Sequence, residues 1–266
     1  MLDRALATLT NTSLLLFGVI VLALLYAANE TGFHVGLWRG RRRPHHERDL
    51  AGIGTITAGM LGLLAFTLGL TINIAQARFE ARRTLVVQEA NAISTAWMRS
   101  KLISGEEGPT IAALVEAFAK VELAYVSSNS FDVEPALIAR GHSLQTQVWQ
   151  AAQSVARREP SSMTTALITA LINMFDSAVA ERFAFESRVP ADLSWMLMAG
   201  SLLSIGAMGY HLGVSGARQV VLTSLLLVMW AGGMVLIADL NRPRVGVILV
   251  DPAPLVWAIQ GFGVAR

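Results

Sequence analysis

Residues 50–75 have the sequence LAGIGTITAGMLGLLAFTLGLTINIA, and residues 76–101 continue it as QARFEARRTLVVQEANAISTAWMRSK. The first half is apolar and rich in glycine, the second half is charged, and neither proline nor a turn cluster separates them. A run of about 20 apolar residues is long enough to cross the hydrocarbon of a bilayer as a helix. The stretch therefore predicts one continuous helix that crosses a membrane and then emerges into water.

One face of this helix is unlike a lipid-facing surface, because it is small, then polar, then charged. Alternating steps of four and three residues keep positions on a single helical face. These positions are Thr55, Gly59, Gly62, Phe66, Gly69, Asn73, Gln76, Glu80 and Arg83. Two interpretations remain open. The face lines the central pore of an oligomer, or its glycines let neighbouring helices pack closely.

Composition restricts the class of protein. The chain has 266 residues, of which 53% are hydrophobic and 15% are charged, and this balance is typical of a small helical membrane protein. The net charge of +2 gives no reason to expect nucleic acid as a partner, and the lack of cysteine excludes disulfides. The sequence contains no metalloprotease, phosphate-loop or paired-acid motif, and adjacent histidines at 45 and 46 cannot share a helix face. We expect no enzyme activity, metal or cofactor.

Hydrophobic periodicity predicts an all-α membrane protein with four transmembrane helices and a helical-bundle insert between the second and the third. The second helix extends into that insert. The predicted domains are residues 1–77, with two spans and a basic loop at 29–49; 78–189, a soluble bundle; 190–240, two further spans; and 241–266, a tail. The first span is placed at 12–28, and the tail is predicted to hold a strand at 244–250 and an interfacial helix at 255–262.

Two stretches resemble a known family. They are LLAFTLGLTINIAQARFEARRTLVVQEANAI at residues 63–93 and DLNRPRVGVILVDPAPL at residues 239–255. Both are similar to the bacterial bestrophin-like domain family, in which paired membrane helices flank a helical insert. The order of the elements extends the resemblance over most of the chain. It implies a multi-pass protein of the bacterial inner membrane, with membrane lipids as neighbours, and it implies no assigned activity.

A more distant resemblance leads to the bestrophins, which are pentameric anion channels with a phenylalanine-rich neck. Alignment of Arg78 and Phe79 with the Arg-Trp pair after that neck places Gly69 on its glycine. Phe66 and Leu70 then fall on two constricting positions, whereas Gly62 stands where a third bulky residue belongs. The resemblance implies a homo-oligomer, by analogy a pentamer. Its pore would be lined by Thr55, Gly59, Gly62, Phe66, Gly69, Leu70, Asn73 and Gln76.

The charged continuation of the second helix has two interpretations. Arg78, Arg82, Arg83 and Glu89 either form a charged vestibule beyond the pore or make ion pairs within the bundle or between subunits. Two functional hypotheses follow from different classes. The first is an oligomeric channel for small anions such as chloride. The second is a non-conducting membrane scaffold whose helical insert binds a protein partner.

Overall fold

The computed structural model describes residues 13–42, 47–130 and 133–264. Within these ranges the chain forms helices and no strand, as the all-α prediction requires. We number the helices in chain order: α1 Leu14–Arg42, α2 Glu47–Ser100, α3 Glu107–Val126, α4 Pro135–Arg158, α5 Ser162–Glu186, α6 Ala191–Ser215, α7 Val220–Leu240 and α8 Ala253–Val264. Four long helices are apolar enough to cross a membrane, so the chain is an integral membrane protein.

The chain divides into two compact units. A membrane unit comprises Met1–Ala77 and Val189–Asn241, and a helical unit comprises Arg78–Arg188 and Arg242–Arg266. The boundaries of the two units lie beside residues 77 and 189 of the sequence. The prediction for the tail is different, because residues after Asn241 belong to the helical unit and do not form a separate domain.

The membrane unit is organised by a close crossing of α1 and α6. Glycines on the two helices face each other, so the backbones approach more closely than any side chain would allow. A Cβ atom at Gly36 would lie 2.3 Å from the carbonyl oxygen of Tyr210, and one at Gly213 would lie 2.2 Å from that of Phe33. A second core forms where Val21, Leu64 and Leu227 meet from α1, α2 and α7.

The first span is longer than predicted. Helix α1 continues to Arg42, whereas the sequence analysis ended the span at residue 28 and placed a basic loop at 29–49. The reason is that Asn29, Phe33 and Gly36 are buried, so the polar-looking second half continues along α6. An ion pair of Glu30 with Arg218, 3.0 Å between Oε1 and Nη2, supports the same segment. The adjacent histidines 45 and 46 lie outside the described residues.

The helical unit is built around a core to which five helices contribute. Ile93 of α2, Phe118 of α3, Val148 of α4 and Leu171 of α5 are fully buried in it, together with Leu255 of α8. The start of α5 is capped as its SSMTT sequence predicts, since the Ser161 hydroxyl accepts a hydrogen bond from the Thr164 amide at 3.1 Å. Core and cap together make this unit a compact helical bundle.

The structure of the tail differs from two predictions. Residues 244–248 form bends and residues 249–250 are irregular, so no strand forms here, and the described chain offers no other strand with which they would pair. Pro243 directly before the segment and Gly246 within it are both unfavourable in a strand, which also explains why no strand forms here. The predicted interfacial helix forms as α8, but it packs into the core of the helical unit. There Phe262 stacks on Trp97 with 4.9 Å between ring centroids.

Candidate functional site

The predicted pore face of α2 is open in the described chain. All eight residues expected to line a pore have exposed surfaces. Phe66 and Leu70 are the largest of them, with 69% and 48% of their surface exposed. The face is therefore available to a neighbour or to an aqueous axis, and α2 does not bury it against the rest of its own chain.

The opposite face of α2 explains this arrangement. Thr57, Leu64 and Thr71 are buried at steps of seven residues, and Ala75 follows one turn later. Residues two positions apart on a helix lie about 200° apart, so Gly62 and Phe66 point away from Leu64. The buried face fastens α2 to its own membrane unit and leaves the glycine-rich face outward.

The glycines of this face have no packing role within the chain. A Cβ atom placed at Gly59, Gly62 or Gly69 would meet nothing within 4 Å among the atoms compared. No helix of the described chain therefore packs closely against these three positions. Packing against another copy and the lining of an axis both remain as explanations of the face.

The polar groups of the face carry dipoles and no fixed charge. Thr55 donates its hydroxyl proton to the carbonyl oxygen of Ala51 at 2.9 Å, which leaves only its oxygen lone pairs free. The exposed side-chain amides of Asn73 and Gln76 make no hydrogen bond within the described part of the chain. Each amide therefore offers two N–H donors to a solute or to water.

The four predicted vestibule residues have different environments. Arg83 is exposed and lies 3.8 Å from Glu80, measured from Nη1 to Oε2. Arg78 is half-buried, whereas Arg82 and Glu89 are almost completely buried within the helical unit. Only Arg78 and Arg83 thus have a surface that faces water. Arg82 and Glu89 belong to the interior of the helical unit.

The helical unit also buries charges that sequence reasoning missed. Glu122 is fully buried and forms an ion pair with Arg182. Burial raises the pKa of Glu122, although the positive charge of Arg182 lowers it in part. Glu181, fully buried beside that pair and outside the membrane-spanning segments, has its pKa raised to about 8 by burial. Periodicity offers little warning of such residues, because it assigns carboxylates to the exposed face.

The described residues give no metal centre. No group of three or more histidine, aspartate or glutamate side chains comes together in residues 13–42, 47–130 or 133–264 in a way that would hold a metal ion. The candidate site is the open face of α2.

Solved structures with a similar fold come from a bacterial bestrophin homologue of Klebsiella pneumoniae. One point variant of that protein matches with a TM-score of 0.67 at 14% identity, over 94% of this chain and 96% of the variant. The structure solved by Zn-SAD phasing matches with a TM-score of 0.62 at 15% identity, over 92% and 95% of the two chains. At these identities the likeness concerns the fold. No curated protein matches the sequence.

The sequence itself provides the assignment to a family. A model of the Bestrophin-like domain matches residues 10–255, which is most of the chain, and the fold agrees with that match. The chain therefore belongs to the Bestrophin-like domain family.

Proposed function

We propose that the protein is an oligomeric membrane channel for small anions such as chloride, in which α2 of each copy lines a central pore. The observation that carries the proposal is the open face of α2, which combines glycines and uncharged polar groups in a segment long enough to cross a membrane. Membership of the Bestrophin-like family and the likeness to a bestrophin homologue support the same function.

The polar groups of this face favour an oligomer, because an oligomer would surround them with water instead of lipid. Thr55, Asn73 and Gln76 would be unfavourable neighbours for lipid tails, because hydrocarbon offers their polar groups no hydrogen bonds. Copies of the chain arranged around an axis would turn these groups towards water. The analogy with bestrophins favours five copies.

The apolar constriction is proposed at Phe66 and Leu70. Their exposed side chains project from a face that is otherwise small or polar, so a ring of them would be the narrowest and driest part of the pore. Hydrophobic constrictions of this kind gate by dewetting. Gly62 lies one turn before Phe66 and contributes no side chain. The constriction is therefore shorter than the three-residue neck of the bestrophins.

The preference for anions is proposed from the distribution of charge. Residues 50–77 contain no aspartate or glutamate, and the side-chain amides of Asn73 and Gln76 can donate to a passing anion. Beyond them, Arg78 and Arg83 present cations to water as the proposed vestibule. A carboxylate ring, which would select cations, is missing from this part of the sequence.

The test is conduction by the purified chain in planar bilayers. We expect a chloride-selective current that Phe66→Ala increases several-fold, because a smaller ring lets water wet the constriction. Leu203→Ala is the matched control, since Leu203 of α6 is also apolar and 67% exposed but lies on another helix. Silent bilayers with a correctly assembled oligomer, or equal effects of the two substitutions, would contradict the proposal.

A second function has one observation in its favour. Helix α5 exposes Ile172, Val179 and Phe183 at steps of seven and four, an apolar stripe on the helical unit. A scaffold would use that stripe to bind a protein partner. In that case, Phe183→Ser would abolish co-purification of the partner, and the bilayers would remain silent. A chloride current together with no retained partner would exclude this alternative.

A further inference from the structure

We propose that a pocket of the helical unit, lined by Tyr125, Arg188 and Arg244, binds a phosphate-type oxyanion. The pocket is completed by Val133, Ile138, Phe185 and Glu186. It lies entirely within the helical unit and does not include the open face of α2. The proposed site is therefore independent of the pore and would function whether or not the protein conducts.

Arg244 has a donor pair that the protein does not use. Its side chain is largely buried, and its Nε and Nη2 atoms have no hydrogen-bond partner within the described chain. These two nitrogens form one edge of the guanidinium plane, and their parallel N–H groups match two oxygens of one phosphate or carboxylate. Buried donors without an acceptor are unfavourable, so an anion that accepts from this edge would be stabilised there.

Aromatic rings hold the guanidinium in position. The Cζ atom of Arg244 lies 4.5 Å from the centroid of Tyr125 and 5.1 Å from that of Phe185. Cation–π contacts at such distances stabilise the charge and restrict rotation of the side chain. Arg244 is therefore positioned before a ligand arrives, which reduces the entropy lost on binding.

The surroundings carry an excess of positive charge. Burial, and after it the nearby positive charges of Arg78 and Arg244, lowers the pKa of Arg82 to about 10. Neither Arg188 nor Arg244 has an ion pair within the described residues. The exposed Glu186 is the one carboxylate among the described residues that line the pocket. The pKa of Glu181, which is buried outside the lining, is raised by burial.

The geometry favours an oxyanion over chloride. A flat pair of N–H groups is satisfied by two oxygens of one ligand, whereas a spherical ion does not match the pair in this way. Arg188 would add a second charge-assisted contact from the exposed rim of the pocket. The phosphate would come from a free anion or from a lipid headgroup, since Arg188 directly precedes the membrane unit along the chain.

The experiment uses the full chain in maltoside detergent, which contains no phosphate. Inorganic phosphate and a short-chain phosphatidylglycerol are titrated separately at constant ionic strength, and the melting temperature is recorded. We expect a saturable rise with at least one probe. A response to phosphate alone identifies a free anion as the source, and a response restricted to the lipid identifies a headgroup. If neither probe raises the melting temperature in a saturable way, the proposal is wrong.

Charge variants decide where the probe binds. Arg188→Gln should raise the half-saturating concentration about tenfold through the loss of one charge-assisted contact, and Glu186→Gln should lower it. Arg244→Lys, which keeps the charge but lacks the fork, should weaken binding at least as much as Arg188→Gln. Arg157→Gln, an exposed arginine of α4 outside the pocket, should have no effect. Equal effects of Arg157→Gln and Arg188→Gln would overturn the site.

Because Arg188 and Glu186 are exposed, their substitutions should leave the fold intact. They therefore remain informative even where Arg244→Lys fails to fold. Opposite shifts for Arg188→Gln and Glu186→Gln are the specific signature of the pocket. A common shift in one direction would mean that the probe binds elsewhere.

Discussion

The membrane unit contains two sets of glycines with opposite surroundings. In the crossing of α1 and α6, a Cβ atom at Gly209 would lie 2.1 Å from the carbonyl oxygen of Asn29, and one at Gly213 would lie 2.2 Å from that of Phe33. On α2, a Cβ atom at Gly62 or Gly69 would have no neighbour within 4 Å. The first set permits contact between backbones. The second set leaves one face of α2 without side chains at these positions and without a neighbouring helix in the same chain.

The difference shows what a glycine pattern can and cannot predict. Both sets follow helical spacing, and both satisfy the rule that small residues let membrane helices approach. Only the environment separates them, because α6 has a partner helix against its glycines and the open face of α2 has none in its own chain.

The largest effect is expected for Gly213→Ala. The new methyl group would overlap the backbone of α1, which cannot rotate away as a side chain would. Overpacking of this kind typically destabilises a protein by about 1–3 kcal/mol, and occasionally by more. Thermal unfolding in detergent should show a clear drop in the melting temperature. Gly232→Ala on α7, where a Cβ atom meets nothing within 4 Å, is the matched control. Equal melting temperatures for the two variants would contradict the crossing.

The next effect concerns buried charge, which the helical unit has and the open face of α2 lacks. The folded-state pKa of Glu181 is about 8, against about 4.3 for an unperturbed glutamate, so between those values the folded state binds more protons. Stability should therefore fall as pH rises from about 5 to 8.

Denaturation across that pH range measures the slope, and Glu181→Gln should reduce it. Glu80→Gln is the control, because Glu80 is exposed and lies on α2. A slope that is the same in Glu181→Gln and in the unsubstituted chain would show that Glu181 is not the group responsible.

The smallest effect, and the one that sharpens the comparison most, is expected for Gly62→Ala. Alanine is favoured over glycine inside a helix by up to about 1 kcal/mol, and the open face has room for the methyl group. The melting temperature should stay level or rise slightly while the oligomer remains intact. Dissociation of the oligomer, seen by size-exclusion chromatography, would instead mean that copies pack tightly through Gly62.

Much of the helical architecture was predictable from the sequence, because the hydrophobic period and the length of a segment identify long helices. Periodicity predicts helices at residues 134–158 and 193–214, and the bounds of α4 and α6 differ from these by at most two residues. The first span was predicted to end too early because Asn29 and Glu30 look like the start of a loop. Burial of Asn29 against α6 and the ion pair of Glu30 with Arg218 stabilise this part of the helix. The tail was misassigned because its β-branched residues suggest a strand, and no partner strand exists in the described chain.

The candidate site was predictable in part. Spacing alone identified the face of Gly62, Phe66 and Asn73, since a helix places those residues together whatever surrounds it. Spacing did not reveal that the face is open, which depends on the helices that pack behind Leu64 and Thr71. Likewise, the burial of Arg82 and Glu181 depends on tertiary contacts, and a single sequence has no local signal for them.

The central claim, that the open face of α2 lines a water-filled pore, is tested most directly by thiol modification. The chain has no cysteine, so Asn73→Cys introduces a single reactive group. An anionic methanethiosulfonate reagent added to the conducting oligomer should react at residue 73 and reduce the current, while Leu203→Cys on α6 should be unaffected. If Asn73→Cys is inert while Arg157→Cys on the helical unit reacts, water does not reach this face and the claim is wrong.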